Sequence, residues 1–348
     1  MGRCRWVPAF AVALLLLAAV ACGSDEEDTT STTDLTVQPQ AAAVQTTEPV
    51  GEPQTAATQT PEPETAAAFP YTVTGSDGQT IVFEEPPERI VAMDSAVVEI
   101  LFAIGEGDRV VGTHDFVTYP PESTDIPRLG GAFDMNIEAT VYLEPDLVVI
   151  FSDGLLEALR RVGLKVFYQK SLEGDVLTIA ENVSMWGRIT GAVEAAEQVA
   201  LEFEIRVDAI DAKMAFQDSG PRVFQDEGGL WTPGPDTLIH EVFETLKLQN
   251  IAHDVSGYAQ LSPEVIVERD PEIIIACCGD NISENTAFQS VTAVVNGRVY
   301  VPDSDALSIP GPRYVEGIEK LARWVYPDLF EQGNQETRGG IGKGASSR

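Results

Sequence analysis

The chain is 348 residues long and carries 55 Asp and Glu against 22 Lys and Arg, a formal charge of -33 with only 3 His. Clustered cations neutralise phosphate backbones, so this balance excludes a nucleic-acid partner. A chain this long makes about two domains if all of it folds, and its first 68 residues do not read as folded. Arg3 and Arg5 open it with positive charge, and Trp6 to Ala21 is 16 residues without a charged side chain. That falls short of the ~20 apolar residues a spanning helix needs, so residues 1–21 read as a removable export signal.

The signal ends Leu17-Ala18-Ala19-Val20-Ala21-Cys22-Gly23-Ser24. Small residues leading to a cysteine resemble the lipobox of bacterial lipoproteins, which implies that Cys22 carries lipid and holds the chain at the outer face of the cell membrane. Ala19 departs from the Leu more usual there. From Gly23 to Ala68 the chain is rich in Thr, Glu, Pro, Ala and Gln, with nine acids and no Lys or Arg. So little apolar surface cannot offset chain entropy, and 22–68 is expected to be a disordered acidic stalk reaching roughly 40 Å. From Phe69 onward 46 acids still face 20 bases, so most of the acidity belongs to the folded part. Of the cysteines left there, Cys277 and Cys278 are adjacent, and about 3.8 Å between neighbouring Cα atoms disfavours a disulfide between them.

The body opens as a hairpin, Tyr71-Thr-Val-Thr and Thr80-Ile-Val-Phe83 around Gly75-Ser-Asp-Gly78. Strand and helix then alternate: strand Arg89–Met93, helix Ala96–Ile104, strand Arg109–Gly112, a helix from Ile137, strand Leu147–Phe151, helix Leu155–Val162 and strand Lys165–Phe167. Glu173 to Phe216 keeps a helical apolar spacing, with Gly187 and Gly191 as the breaks inside it, as one long helix or two in tandem. Alternation resumes with strand Arg222–Gln225, helices Thr237–Lys247 and Ser262–Arg269, strands Ile273–Cys277 and Arg298–Val301, and helix Tyr314–Tyr326. Continuous apolar strands between amphipathic helices mean parallel sheets covered on both faces.

The second half echoes the first. Asn136-Ile-Glu138 before Pro145-Asp-Leu-Val-Val-Ile returns as Ser262-Pro-Glu264 before Pro271-Glu-Ile-Ile-Ile-Ala, with the Glu seven residues ahead of the Pro each time. The expected fold is α/β: two lobes with parallel sheets, 69–172 and 217–330, joined by a long rigid helix within 173–216, with a ligand cleft between the lobes and a flexible tail over 331–348. Loops at the carboxyl ends of the strands line such a cleft.

Pro87-Glu-Arg-Ile-Val-Ala-Met93, Glu99-Ile-Leu-Phe-Ala-Ile-Gly105, Tyr119-Pro-Pro-Glu122 and Glu144-Pro-Asp-Leu-Val148 resemble the first lobe of ABC-importer substrate-binding proteins for ferric siderophores, haem and cobalamin. Trp231-Thr-Pro-Gly234, Asn296-Gly-Arg-Val299 and Pro310-Gly-Pro-Arg313-Tyr-Val-Glu316 resemble the second. The resemblance implies an extracytoplasmic monomer that binds a metal chelate, closes little about its hinge and performs no catalysis, with no cofactor of its own. It also implies that Glu138 and Glu264 dock onto the two subunits of an ABC permease, although acids in a first helical turn are worth ~0.3–1 kcal/mol through the helix dipole alone.

Strand ends offer Asp94, His114, Asp115, Phe116, Tyr119, Phe133 and Asp153 in the first lobe. In the second they offer Asp226, Glu227, Trp231, Tyr258, Cys278, Gly279, Asp280 and Asp305. Aromatics pack on a planar or bulky chelate. Core packing is the ordinary role of any one aromatic, and Trp231 and Tyr119 stand apart because each sits in a Pro-containing loop. Where many members of the family carry Arg before Pro-Gly-Pro-Arg, this chain has Ile309. An acidic rim repels a trianionic catecholate and tolerates cobalamin, a cationic chelate or a neutral hydroxamate complex. The rival cargoes are haem, held by His114 or Tyr258, and a free metal ion, held by His114, His253, Cys277 or Cys278, which lack the compact spacing of a closed site. An enzyme is disfavoured: there is no Gly-rich phosphate loop and no Gly-x-Ser-x-Gly elbow.

Overall fold

The computed structural model describes residues 68–171, 174–277 and 282–330. The export signal, Cys22, the stalk, Cys278 to Asp280 and the C-terminal tail, each the subject of an expectation above, lie outside them. The hairpin forms as read, β1 (Tyr71–Thr74) antiparallel to β2 (Thr80–Phe83) with Tyr71 opposite Phe83. Gly78 closes its turn at φ 76°, where a β-carbon would be strained.

The first lobe runs β3 (Ile90–Ala92), α1 (Ser95–Ala103), β4 (Val110–Thr113), α2 (Ile137–Tyr142), β5 (Leu147–Ile150), α3 (Leu156–Arg161) and β6 (Val166–Tyr168). Its four strands are parallel in the order β4-β3-β5-β6. The connection is a pair of helices rather than one: α4 (Thr178–Thr190) stops at Gly191, held at φ 87°, and α5 (Val193–Met214) starts two residues later. At 22 residues α5 is about 33 Å long.

The second lobe follows with β7 (Arg222–Asp226), β8 (Trp231–Pro233), α6 (Leu238–Thr245), β9 (Gln249–Asn250), β10 (Tyr258–Gln260), α7 (Pro263–Arg269), β11 (Ile273–Ala276), α8 (Thr292–Val295), β12 (Val299–Tyr300) and α9 (Tyr314–Val325). Its parallel sheet reads β9-β7-β11-β12, so each strand has a counterpart in the first lobe. The repeat in sequence is thereby a repeat in space. Asn136 and Ser262 cap α2 and α7, accepting from the Ala139 and Val265 amides, and each helix feeds the central strand β5 or β11. The two-residue β9 and the small antiparallel ladder of β8 and β10 were not legible beforehand.

Period-two alternation explains how both faces of each sheet are buried. Ile90, Ala92, Leu147 and Val149 point to one cluster, Val91, Val148 and Ile150 to another. In the second lobe Val223, Ile273 and Ile275 join the first of these clusters, while Phe224 and Ile274 face a third. The shared cluster takes in Trp186 of α4, Phe203 and Val207 of α5 and Leu321 of α9, so one apolar core runs through both lobes. Each such side chain contributes about 1.5–3 kcal/mol by leaving water.

Candidate ligand-binding cleft

Every parallel strand delivers its chain to a loop at its carboxyl end, where open α/β sheets bind ligands. The loops of the two lobes touch. Thr118 Oγ1 donates to Asp305 Oδ2 at 3.2 Å. Arg313, at the start of α9, reaches Glu99 of α1 (Nε to Oε2, 3.1 Å) and stacks 3.6 Å over the Tyr119 ring, while its Nη2 bonds Asp305 at 3.0 Å. Burial pushes the Glu99 carboxyl up, to about 7, against the pull of Arg313. This arginine therefore ties the lobes together, and one face of Tyr119 is covered by it rather than open to a ligand.

The candidate residues of the first lobe divide by burial. Asp94 is 4 % exposed and caps α1, its Oδ1 accepting from the Ala96 amide at 2.9 Å. His114 is also buried. Its Nδ1 accepts from the Phe116 amide at 3.2 Å, which puts the ring proton on Nε2, and Nε2 faces Ser95 Oγ at 3.0 Å. Both nitrogens are engaged, and burial lowers this imidazole to about 4, so it stays neutral. The geometry makes His114 a brace for its loop and leaves no lone pair for iron or another metal. Phe116 and Phe133 are exposed, Phe133 set edge-on to Phe151 at 5.3 Å, and Asp115 and Asp153 are exposed beside them.

In the second lobe Trp231 lies on β8, not in a loop. The register Trp231 opposite Gln260 and Tyr258 opposite Pro233 places both aromatics on one face of the ladder, where they are 44 % and 46 % exposed. Five of the seven exposed aromatics among the described residues thus lie either in the loop from β4 to α2 (Phe116, Tyr119 and Phe133) or at the starts of β8 and β10 (Trp231 and Tyr258). Beneath Tyr258 is a recess of about 240 Å³ whose lining includes Glu227 and Tyr314. Burial raises Glu227, with Asp226 adding to it and Gln225 opposing, and pushes Tyr258 to about 12 with help from Glu227 and Cys277. Tyr314 is a residue the sequence reading missed, since after Pro310-Gly-Pro it reads only as a helix start. Cys277 is partly buried at the end of β11, and Cys278, Gly279 and Asp280 follow it outside the described residues. Among the described residues no group of three His, Cys, Asp or Glu is arranged to hold a metal.

The permease-docking candidates occupy matching helix starts in the two lobes. Glu138 and Glu264 are exposed in the first turns of α2 and α7, and the Glu264 carboxyl is held below the usual range by its own amide and Ser262.

Residues 90–306 match the model of the family described as periplasmic binding protein. This chain belongs to that family. A cobalamin-binding protein of Halobacterium salinarum is 32% identical over 280 residues, covering 74% of this chain and 75% of that one. An ABC transporter substrate-binding lipoprotein of Bacillus subtilis, YvrC, is 28% identical over 278 residues, 76% of this chain and 88% of its own. The crystal structure of the vitamin B12-binding protein BtuF of Vibrio cholerae superposes with a TM-score of 0.62 at 26% identity, covering 69% of this chain and 97% of BtuF. As a periplasmic binding protein the chain is the solute-binding component of an ABC importer, and its family is one of solute binders.

Proposed function

We propose that the chain captures a cobalamin-type chelate between its lobes and hands it to an ABC permease while anchored outside the membrane through lipid on Cys22. The observation that carries this reading is the set of exposed aromatics in both lobes, Phe116 and Phe133 in the loop after β4 on one side, Trp231 and Tyr258 on the β8–β10 ladder on the other. The arginines near them are engaged: Arg128 donates to the His114 and Ser123 carbonyls and Arg313 holds Glu99 and Asp305. A bulky, uncharged or cationic chelate suits such a setting and a trianionic one does not. The names of the Halobacterium and Vibrio relatives support cobalamin over haem, and the engaged nitrogens of His114 weigh against haem ligation there. A neutral hydroxamate complex of iron is the second reading, favoured by the same lack of available arginine.

Titration of the purified chain with cyanocobalamin, haemin, ferrioxamine and a ferric catecholate, followed by tryptophan fluorescence, tests this. Saturable quenching by cyanocobalamin that is lost in Trp231→Phe is expected; quenching by the catecholate alone sinks the reading. Docking through Glu138 and Glu264 predicts that the double variant Glu138→Ala, Glu264→Ala binds ligand as the parent does and fails in uptake. Unchanged uptake would refute it. Metabolic labelling with a fatty acid, abolished by Cys22→Ala, tests the anchor.

A further inference from the structure

The recess in the second lobe is built from two kinds of surface. Leu238 and Ile239 give it apolar walls, and Glu227, Tyr258, Ser308 and Tyr314 supply polar atoms. Tyr314 is only 2 % exposed, yet its hydroxyl makes no hydrogen bond with any described residue, and it lines the same recess as Tyr258 and Glu227. Glu227 is anchored through Oε1, which accepts from Gln225 Nε2, while Oε2 receives no hydrogen bond from a described residue. Neither oxygen is sealed in the interior; both reach accessible space at the recess, where a group entering it can bond to them. Among the described residues no Lys or Arg lines the recess. Its open valences are therefore phenol and serine hydroxyls that donate, and one carboxylate oxygen that accepts only.

That complement matches a primary carboxamide, whose N–H group donates to a carboxylate while its carbonyl accepts from a phenol. A carboxylate in the same place would face Glu227 across a poorly solvated gap with no cation to compensate. We propose that this recess takes a peripheral primary amide of the chelate, with Glu227 accepting from its N–H and Tyr314 donating to its carbonyl, and that Glu227 makes the site select amide over acid. This rests on the reading of the chain as a binder of a cobalamin-type chelate, which carries such amides around its ring.

The test compares cyanocobalamin with its separated monocarboxylate isomers, each having one peripheral amide hydrolysed, by calorimetric titration of the full chain. The parent is expected to bind at least one isomer ten-fold or more weakly than cyanocobalamin. Glu227→Gln should bring that isomer to within about three-fold of cyanocobalamin, because a neutral side chain no longer repels the acid. Tyr314→Phe should weaken cyanocobalamin five- to ten-fold with an unchanged unfolding midpoint. The proposal is overturned if the parent binds every isomer as it binds cyanocobalamin, if Glu227→Gln keeps the discrimination, or if Tyr314→Phe binds as the parent does. Failure of the parent to bind cyanocobalamin at all overturns the cobalamin reading as well, and so is told apart from these.

Discussion

Asp94 caps α1 as an ionised carboxylate would, in a place water barely reaches. Burial raises it to about 6, with Ser171 and the Ala96 and Val97 amides pulling back. Between an ordinary carboxylate value near 4 and that value, the folded state holds a proton the unfolded state has lost, so stability falls as pH rises through this window. His114 acts in the opposite sense, since the unfolded state holds its extra proton between about pH 4 and 6.5 and stability climbs there. The two residues partly cancel in the parent, and a substitution separates them. Asn caps helices as well as Asp does. Urea denaturation of Asp94→Asn should therefore match the parent near pH 4 and exceed it by about 1–3 kcal/mol at pH 7. Equal stability at both pH values would mean the carboxyl titrates normally. Sequence alone marked Asp94 and His114 as ligand candidates because polar residues at strand ends usually meet solvent. Their partners decided otherwise, and Ser95 and the Phe116 amide carry no sequence signal that they will occupy both nitrogens of one imidazole.

At the scale of elements, the alternation of buried positions made nearly every strand legible, because each central strand must satisfy two apolar faces at once. What escaped was short and polar. Gln249 and Asn250 form the edge strand β9 through backbone pairing to Arg222 and Val223, which no hydrophobic pattern reports. Trp231 read as a loop residue because Pro233 and Gly234 follow it, and only the ladder to β10 reveals its strand. The joint between α4 and α5 turns on Gly187, where a β-carbon would stand 2.2 Å from that of Ala196. Ala is the better helix former by about 1 kcal/mol, yet forcing a methyl into a filled contact costs about 1–3 kcal/mol. Gly187→Ala should accordingly lower the denaturation midpoint, and a rise would show that the helices separate without penalty.

For the whole molecule the contact between lobes centres on Arg313. Removing one member of a buried pair strands the other, so Arg313→Ala should destabilise by about 3–5 kcal/mol. Replacing both, Glu99→Gln with Arg313→Met, should restore part of that loss, since no charge is left buried. A double variant as unstable as the sum of the singles would mean the pair is not coupled. Tyr119 loses its guanidinium partner in either case, and a blue shift in its near-ultraviolet signal would follow its release.

The apolar cluster that begins under β1 and β2 and ends under α9 has a thermodynamic consequence for a two-lobed chain. Lobes with separate interiors melt as separate heat-absorption peaks, but an interior held in common gives neither half a boundary at which to stop unfolding. Scanning calorimetry should record one peak whose van't Hoff and calorimetric enthalpies agree. Ligand caught at the strand ends then protects amides of the β1–β2 hairpin from hydrogen exchange by the global opening route, although nothing in that hairpin touches it.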